Sequence, residues 1–252
     1  MSTEYQFPTE TIDLPSGGKF YDETHPLHSG KVDLKYMTAK EEDILTSSNL
    51  IAKGLVFDKL YESLVVTPGT KIDSILTGDI NAIMVASRIL GYGKDYDIAV
   101  TCPSCGIGEV ITVDLTNFED RKTTGTAEQV GKHFVVTLPV SGAKVEFQLL
   151  TRGMEKAMQK DLDAYAKINS EYIPERTTFF KAIVVSVNGS TDKPSISKFV
   201  DQLLVKDAKA LRDEYLAVKP DINFNFEYTC SSCSNTSSVG LPISTSFFWP
   251  DR

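Results

Sequence analysis

The chain contains four cysteines in two identical spacings, Cys102-Pro103-Ser104-Cys105 and Cys230-Ser231-Ser232-Cys233, separated by the 124 residues from Gly106 to Thr229. Two residues between cysteines let both sulfurs of a tight knuckle face one centre. Two knuckles then supply four thiolates for a tetrahedral zinc ion at about 2.3 Å each. The spacing therefore predicts that residues near 104 and near 231 meet in space. With Cys102, Cys105, Cys230 and Cys233 filling every ligand position, one zinc ion would be structural, because catalytic zinc keeps a position open for water or substrate. The alternatives are two disulfides or four unrelated reduced thiols. Disulfides require an oxidising compartment, and Met1 to Phe20 lacks the apolar stretch of a secretory signal, which favours the metal.

Other residue types that could do chemistry are poorly placed for it. His25 and His28 lie in a Pro-containing loop and His133 opens a strand, so surface histidines are the expectation. A His25/His28 metal pair would need Asp22 and Glu23 as further ligands. Gly17-Gly18-Lys19 lacks the spacing of a phosphate loop, has Phe20 where the hydroxyl belongs, and reads as a turn. No nucleophile elbow, zinc-protease helix or dinucleotide fingerprint is present. The carboxylate groups Glu41-Glu42-Asp43 and Asp161/Asp163 fall on helix faces exposed to solvent. The expectation is a protein without catalytic activity.

The elements that must position the knuckles are legible around them. Asp97 to Thr101 and Glu109 to Leu115 flank the first knuckle as β-branched strands. Ile222 to Tyr228 and Val239 to Ile243 flank the second. Two strand–knuckle–strand units sharing one metal describe a zinc ribbon, here split by a long insertion. Upstream, residues 1–37 read as an extended arm with strands at Thr11 to Leu14 and Lys31 to Tyr36. Thr38-Ala39-Lys40-Glu41 fits a capping box that opens a helix. Further helices are expected near Leu50 to Ala52, at Val56 to Leu64, and after Gly78, the last ended by Gly91 and Gly93. The insertion begins with a polar linker, Arg121 to Gly131. A hairpin follows around Ser141-Gly142, then helices marked by Met154, Met158, Leu162 and Tyr165, by Phe179 to Val187, by Ile196 to Leu204 with Ser195 as cap, and by Asp207 to Leu216.

Composition limits the function. The chain has 252 residues, 41% apolar, enough for a sizeable core, and no apolar run approaches the ~20 residues of a membrane span. A net charge of −8 repels phosphate backbones. No Lys or Arg stands beside the knuckle cysteines. A zinc-ribbon adaptor for nucleic acid is the alternative reading, and it would explain the cysteines but not the charge.

Several spaced segments carry a family resemblance: Leu14-Pro15-Ser16-Gly17-Gly18-Lys19-Phe20-Tyr21, Met37 to Leu45, Gly78-Asp79-Ile80, Tyr92-Gly93 and Cys102-Pro103-Ser104-Cys105-Gly106. In this order they resemble the tail baseplate hub proteins of T-even-type bacteriophages, a family that joins a hub component to a hub assembly factor. The resemblance spans residues 10 to 118, and over the insertion it rests on overall length and the closing cysteine pair. It implies a structural or assembly role in the baseplate hub of a contractile tail. Its partners would be other hub and tail proteins, with the tape-measure protein a candidate. It further implies a place in the virion baseplate and, during assembly, in the host cytoplasm.

Aromatic residues at both ends suit partner anchors, since they bury much area at low rotamer cost. These are Tyr5 and Phe7 at the start and Phe247, Phe248 and Trp249 at the end, the last three equally suited to folding back on the ribbon. The expected fold class is α+β. An extended arm (1–37) and a helical segment (38–93) lead into a split four-cysteine zinc ribbon (94–118 and 222–246). The ribbon encloses an inserted hairpin-plus-helices module (119–221) and is followed by an aromatic tail (247–252).

Overall fold

The computed structural model describes residues 7–168, 171–243 and 245–248. Tyr5 and Trp249 lie outside the described residues. The extended arm forms strands β1 (Thr9–Asp13) and β2 (Lys31–Lys35), paired antiparallel with Asp13 opposite Lys31. Between them the chain folds back tightly, and a Cβ on Gly18, whose φ is +79°, would lie 2.1 Å from the His28 carbonyl oxygen. The Gly17-Gly18 pair thus serves a backbone crossing rather than a phosphate cradle.

Helices α1 (Ala39–Thr46), α2 (Ser48–Ala52), α3 (Val56–Leu64) and α4 (Thr77–Tyr92) follow. The capping box at the start of α1 is present, but Glu41 is fully buried and not on the solvent face expected for it, its carboxylate accepting from the Thr38 amide at 2.8 Å and also from Lys35 and Ser63. Gly91 lies inside α4 and Gly93 follows its end. Gly91 is needed for close contact instead of termination, since a Cβ there would meet the Met37 sulfur at 2.6 Å.

The hairpins β3 (Asp95–Thr101)–β4 (Gly108–Asp114) and, later, β9 (Asn225–Thr229)–β10 (Thr236–Gly240) are separate two-stranded antiparallel sheets. β9 and β10 begin about three residues from their expected places. Between the hairpins, β5 (Glu128–Val130), β6 (His133–Thr137), β7 (Lys144–Gln148) and β8 (Val184–Val187) form an antiparallel sheet in that order. α5 (Arg152–Ile168), α6 (Glu175–Ile183), α7 (Lys193–Asp201) and α8 (Val205–Val218) complete the chain. Phe179 to Val187 is therefore not one helix: Val184-Val185-Ser186-Val187 leaves it to pair with β7, where β-branched residues pack better. α7 is capped by Asp192, which accepts from the Ser195 amide at 2.9 Å, with Pro194 in the first turn. Leu203 and Leu204 lie beyond its end.

The expected linker 121–131 is not all loop: residues 121–127 are pinned along α8 and Glu128–Val130 form β5. Arg121 donates to the Leu216 and Lys219 carbonyls at 2.6 and 2.7 Å, and Glu214 accepts from Thr126 and Ala127. One contiguous core joins Leu14 of the arm, Leu60 and Ile83 of the helices, Tyr96 and Tyr228 of the hairpins, Phe147 and Leu211 of the insertion, and Phe247. Among the described residues, no helix is long and apolar enough to cross a membrane.

Candidate metal centre

The two knuckles have the same backbone plan. In the first, the Cys102 amide donates to Ile107 O at 2.9 Å and the Gly106 amide to Cys102 O at 2.9 Å. In the second, Cys230 donates to Asn235 O at 3.0 Å and Ser234 to Cys230 O at 2.9 Å. The residue after the second cysteine has positive φ in both, +74° at Gly106 and +56° at Ser234. Each bond repeats at an offset of 128, so the knuckles are structural duplicates in which the strained position is held once by glycine and once by serine.

The expected meeting of the pairs occurs. All four sulfurs lie within 4.8 Å of one another, the one such cluster of potential ligands among the described residues. Cys102 Sγ stands 3.7 Å from Cys233 Sγ, and Cys105 Sγ stands 3.7 Å from Cys230 Sγ. Four sulfurs at 2.3 Å from a tetrahedral ion are separated by about 3.8 Å, so the donor set fits a thiophilic tetrahedral metal such as zinc. The cysteines are free thiols, Cys102 and Cys230 buried, Cys105 and Cys233 exposed. Amides of Cys233 and Ser232 stabilise the Cys230 thiolate and bring its pKa down to about 6. At Cys105 the Ile107 amide also favours the thiolate, but desolvation and the neighbouring sulfurs outweigh it and push the thiol up to about 12. Metal loading displaces the remaining thiol protons.

A contact that the cysteine spacing does not reveal ties the knuckles together. Glu109, at the start of β4, accepts from the Tyr228 hydroxyl of β9 and from the Ser231 amide at 3.3 Å. The Tyr228 hydroxyl, and then Ser231, hold the Glu109 carboxyl below its ordinary range. The sequence shows only the alternation that buries Tyr228; its partner stands 119 positions away.

The resemblance motifs also meet. Asp79, fully buried in the first turn of α4, accepts from the Ser16 amide at 3.0 Å, the Ser16 hydroxyl at 2.7 Å and the Tyr21 hydroxyl at 2.6 Å. Burial raises its pKa above the ordinary carboxylate range despite these donors. The histidines serve local structure. His25 Nδ1 accepts from the Leu27 amide, which leaves Nε2 to donate to Ser74 Oγ at 2.8 Å, and His133 Nδ1 lies 2.8 Å from Glu146. Both are half-buried, whereas a surface position was expected.

The expectation that Phe247 and Phe248 anchor a partner is corrected: both are fully buried within the chain. Phe247 packs edge-on against Tyr96 at 5.1 Å, Phe248 lies 5.7 Å from Phe57, and the Phe247 carbonyl accepts from Arg88 Nε at 2.8 Å. Phe247 and Phe248 fold back because two adjacent phenyl rings find apolar surface between α3 and β3. Phe7 is 46% exposed, with the Lys35 ammonium 5.2 Å over its ring.

Comparison with known proteins gives one family. The family model described as T4 bacteriophage base plate protein matches residues 7–249. No curated protein and no solved structure matches the chain.

Proposed function

Because the chain belongs to the T4 bacteriophage base plate protein family, we propose that it is a structural or assembly protein of the baseplate hub of a contractile tail, held by one structural zinc ion and acting through protein contacts. The family match over nearly the whole chain carries this reading. The motifs behind the hub resemblance support it: Ser16, Tyr21 and Asp79 are spent on holding the arm to α4 instead of facing a substrate. Cys102, Cys105, Cys230 and Cys233 would hold the ion, and the two knuckled hairpins would then act as a split zinc ribbon. In this reading the ribbon (94–118 and 222–246) is a clasp, and the arm (1–37), the helical segment (38–93) and the inserted module (119–221) present surfaces to neighbours. Tyr5, Phe7 and Trp249 remain the proposed partner anchors.

Partners are expected among the hub and tail proteins, including the tape-measure protein, in the virion baseplate and, during assembly, in the host cytoplasm. The charge distribution favours protein over nucleic acid as the ligand of the ribbon. Residues 94–120 and 222–243 carry one lysine and seven carboxylates, a net −6 of the chain's −8. The test is co-expression with each hub and tail protein followed by size-exclusion chromatography and metal analysis. Co-elution with a hub protein and one zinc per chain is expected; failure to co-elute with any tail protein, or a metal-free native protein, refutes the corresponding half of the proposal.

A further inference from the structure

β4 and β9 run in opposite directions, tied by hydrogen bonds at both ends, and between these ties Phe118 packs against Phe224 and Phe226 with ring centroids 6.2 and 6.4 Å apart. At the knuckle end, Glu109 bonds Tyr228 and Ser231. At the far end, Asp120 bridges Ile222, the Asn223 amide donates to Glu119 O at 2.9 Å, and the Arg121 amide donates to Asp221 O at 2.7 Å. The two paths between these pins differ in length: eleven residue steps from Glu109 to Asp120, but six from Tyr228 to Ile222. The excess on the first path is partly taken up by the 3-10 turn Leu115–Asn117. Direct zipping of β4 to β9 in a single register is thereby blocked, and a cleft of about 430 Å³ lies between them.

The edges facing this cleft are chemically specific. The bonds from Cys102 N to Ile107 O and from Leu115 N to Lys94 O fix the alternation of the β3–β4 ladder. The backbone groups of Thr112 and Asp114 therefore point away from β3. By the same alternation, the bonds from Leu241 N to Phe224 O and from Cys230 N to Asn235 O direct the backbone of Glu227 and Thr229 away from β10. All four residues line the cleft, with Ile111, Val113, Phe118 and Phe226 supplying its apolar surface. Neither strand has another partner among the described residues, and unpaired strand edges are templates for an added strand. The two hairpins, residues 95–114 and 225–240, carry five carboxylates and no Lys or Arg, a net −5.

We propose that this cleft receives an extended, lysine- or arginine-bearing segment of a partner protein, which adds as a strand between β4 and β9. The inference rests on the reading of the chain as a subunit that works through protein contacts, and it names the chemistry of one such contact. Main-chain bonds to Thr112, Asp114, Glu227 and Thr229 would provide affinity, and the acidic hairpins would select a basic segment and speed its encounter.

The probe is a blocked hexapeptide alternating lysine and valine, tested on the zinc-loaded full chain by amide hydrogen exchange. Two controls are a peptide of equal charge N-methylated at alternate residues and a peptide with glutamate in place of lysine. At least tenfold slower exchange at Thr112, Asp114, Glu227 and Thr229 with the first peptide alone supports strand addition. Glu227→Lys, an exposed change that leaves the fold intact, should weaken its binding about fivefold at low salt. Equal protection by the N-methylated peptide, or no protection by any, overturns the proposal. Protection that rises with protein concentration in the absence of peptide assigns the cleft to a second copy of the chain and also overturns it. None of these failures bears on hub membership, which stands or falls on co-elution with tail proteins.

Discussion

Arg88 shows how one buried charge can organise several segments. It is 2% exposed, and among the described residues it forms no ion pair with a carboxylate. Its guanidinium donates instead to three backbone carbonyls, Phe247 at 2.8 Å, Gly93 at 2.9 Å and Asp95 at 3.3 Å, and lies over the rings of Tyr92 and Tyr96. Burial lowers its pKa, yet arginine stays charged because its ordinary value is so high. The planar fork suits three carbonyls arriving from the end of α4, the start of β3 and the C-terminal turn. Nothing in the sequence distinguishes this arginine, since the apolar period of Ile80, Ile83 and Met84 accounts for the helix without it. Arg88→Met keeps much of the side-chain volume but leaves three buried carbonyls without their donor. It should cost about 3 kcal/mol in urea unfolding, with the fastest loss of exchange protection at Phe247 and Phe248. An unchanged midpoint would mean that water replaces the guanidinium without penalty.

Among the elements, those governed by local rules were legible and those governed by distant partners were not. α3 lies between the breakers Gly54 and Pro68-Gly69 and the β6–β7 hairpin turns at Ser141-Gly142, so both fall where local punctuation puts them. β8 escaped because Val184-Val185-Ser186-Val187 continues the apolar run of α6, and only the free edge of β7 draws it into a sheet. The cysteines of the candidate metal site were legible from spacing alone, whereas the Glu109–Tyr228 tie and the cleft depend on a register set by the Asp120–Ile222 bridge. The knuckles allow an element-scale test, because one position is occupied by residues of different tolerance. Gly106 takes φ +74° without penalty, while Ser234 at +56° bears a steric cost of about 1–2 kcal/mol, part of which a glycine would return as lost chain entropy. Ser234→Gly should therefore stabilise the second hairpin by about 0.5–1 kcal/mol, and Gly106→Ala should destabilise the first by about 1 kcal/mol. Thermal melts of the zinc-loaded variants measure both, and shifts of the same sign would show that the knuckles are not equivalent.

For the whole molecule, the question is how far the fold would depend on a metal held by the four cysteines. The cysteine cluster spans a chain segment of more than 120 residues, so a metal bound there would restrict the unfolded chain as well as hold the hairpins. Yet the hairpins do not rely on the cluster alone. Tyr96, Ile98 and Tyr228 enter the common core, and next to the hairpins Arg121 donates to the carbonyl of Lys219 at the end of α8 while Asp221 accepts from Asn81 of α4. A small zinc domain unfolds outright on losing its ion, whereas a clasp on an existing core should loosen locally and lower stability by a few kcal/mol. Chelation should accordingly leave the far-ultraviolet circular dichroism largely native, lower the melting temperature by about 10 °C for a chain of this size, and raise amide exchange first in the knuckles and in β4 and β9. Cys102→Ser should reproduce the effect without chelator. Global unfolding on chelation would instead make the metal a condition of folding, and an unchanged melt would remove zinc from the account of the scaffold.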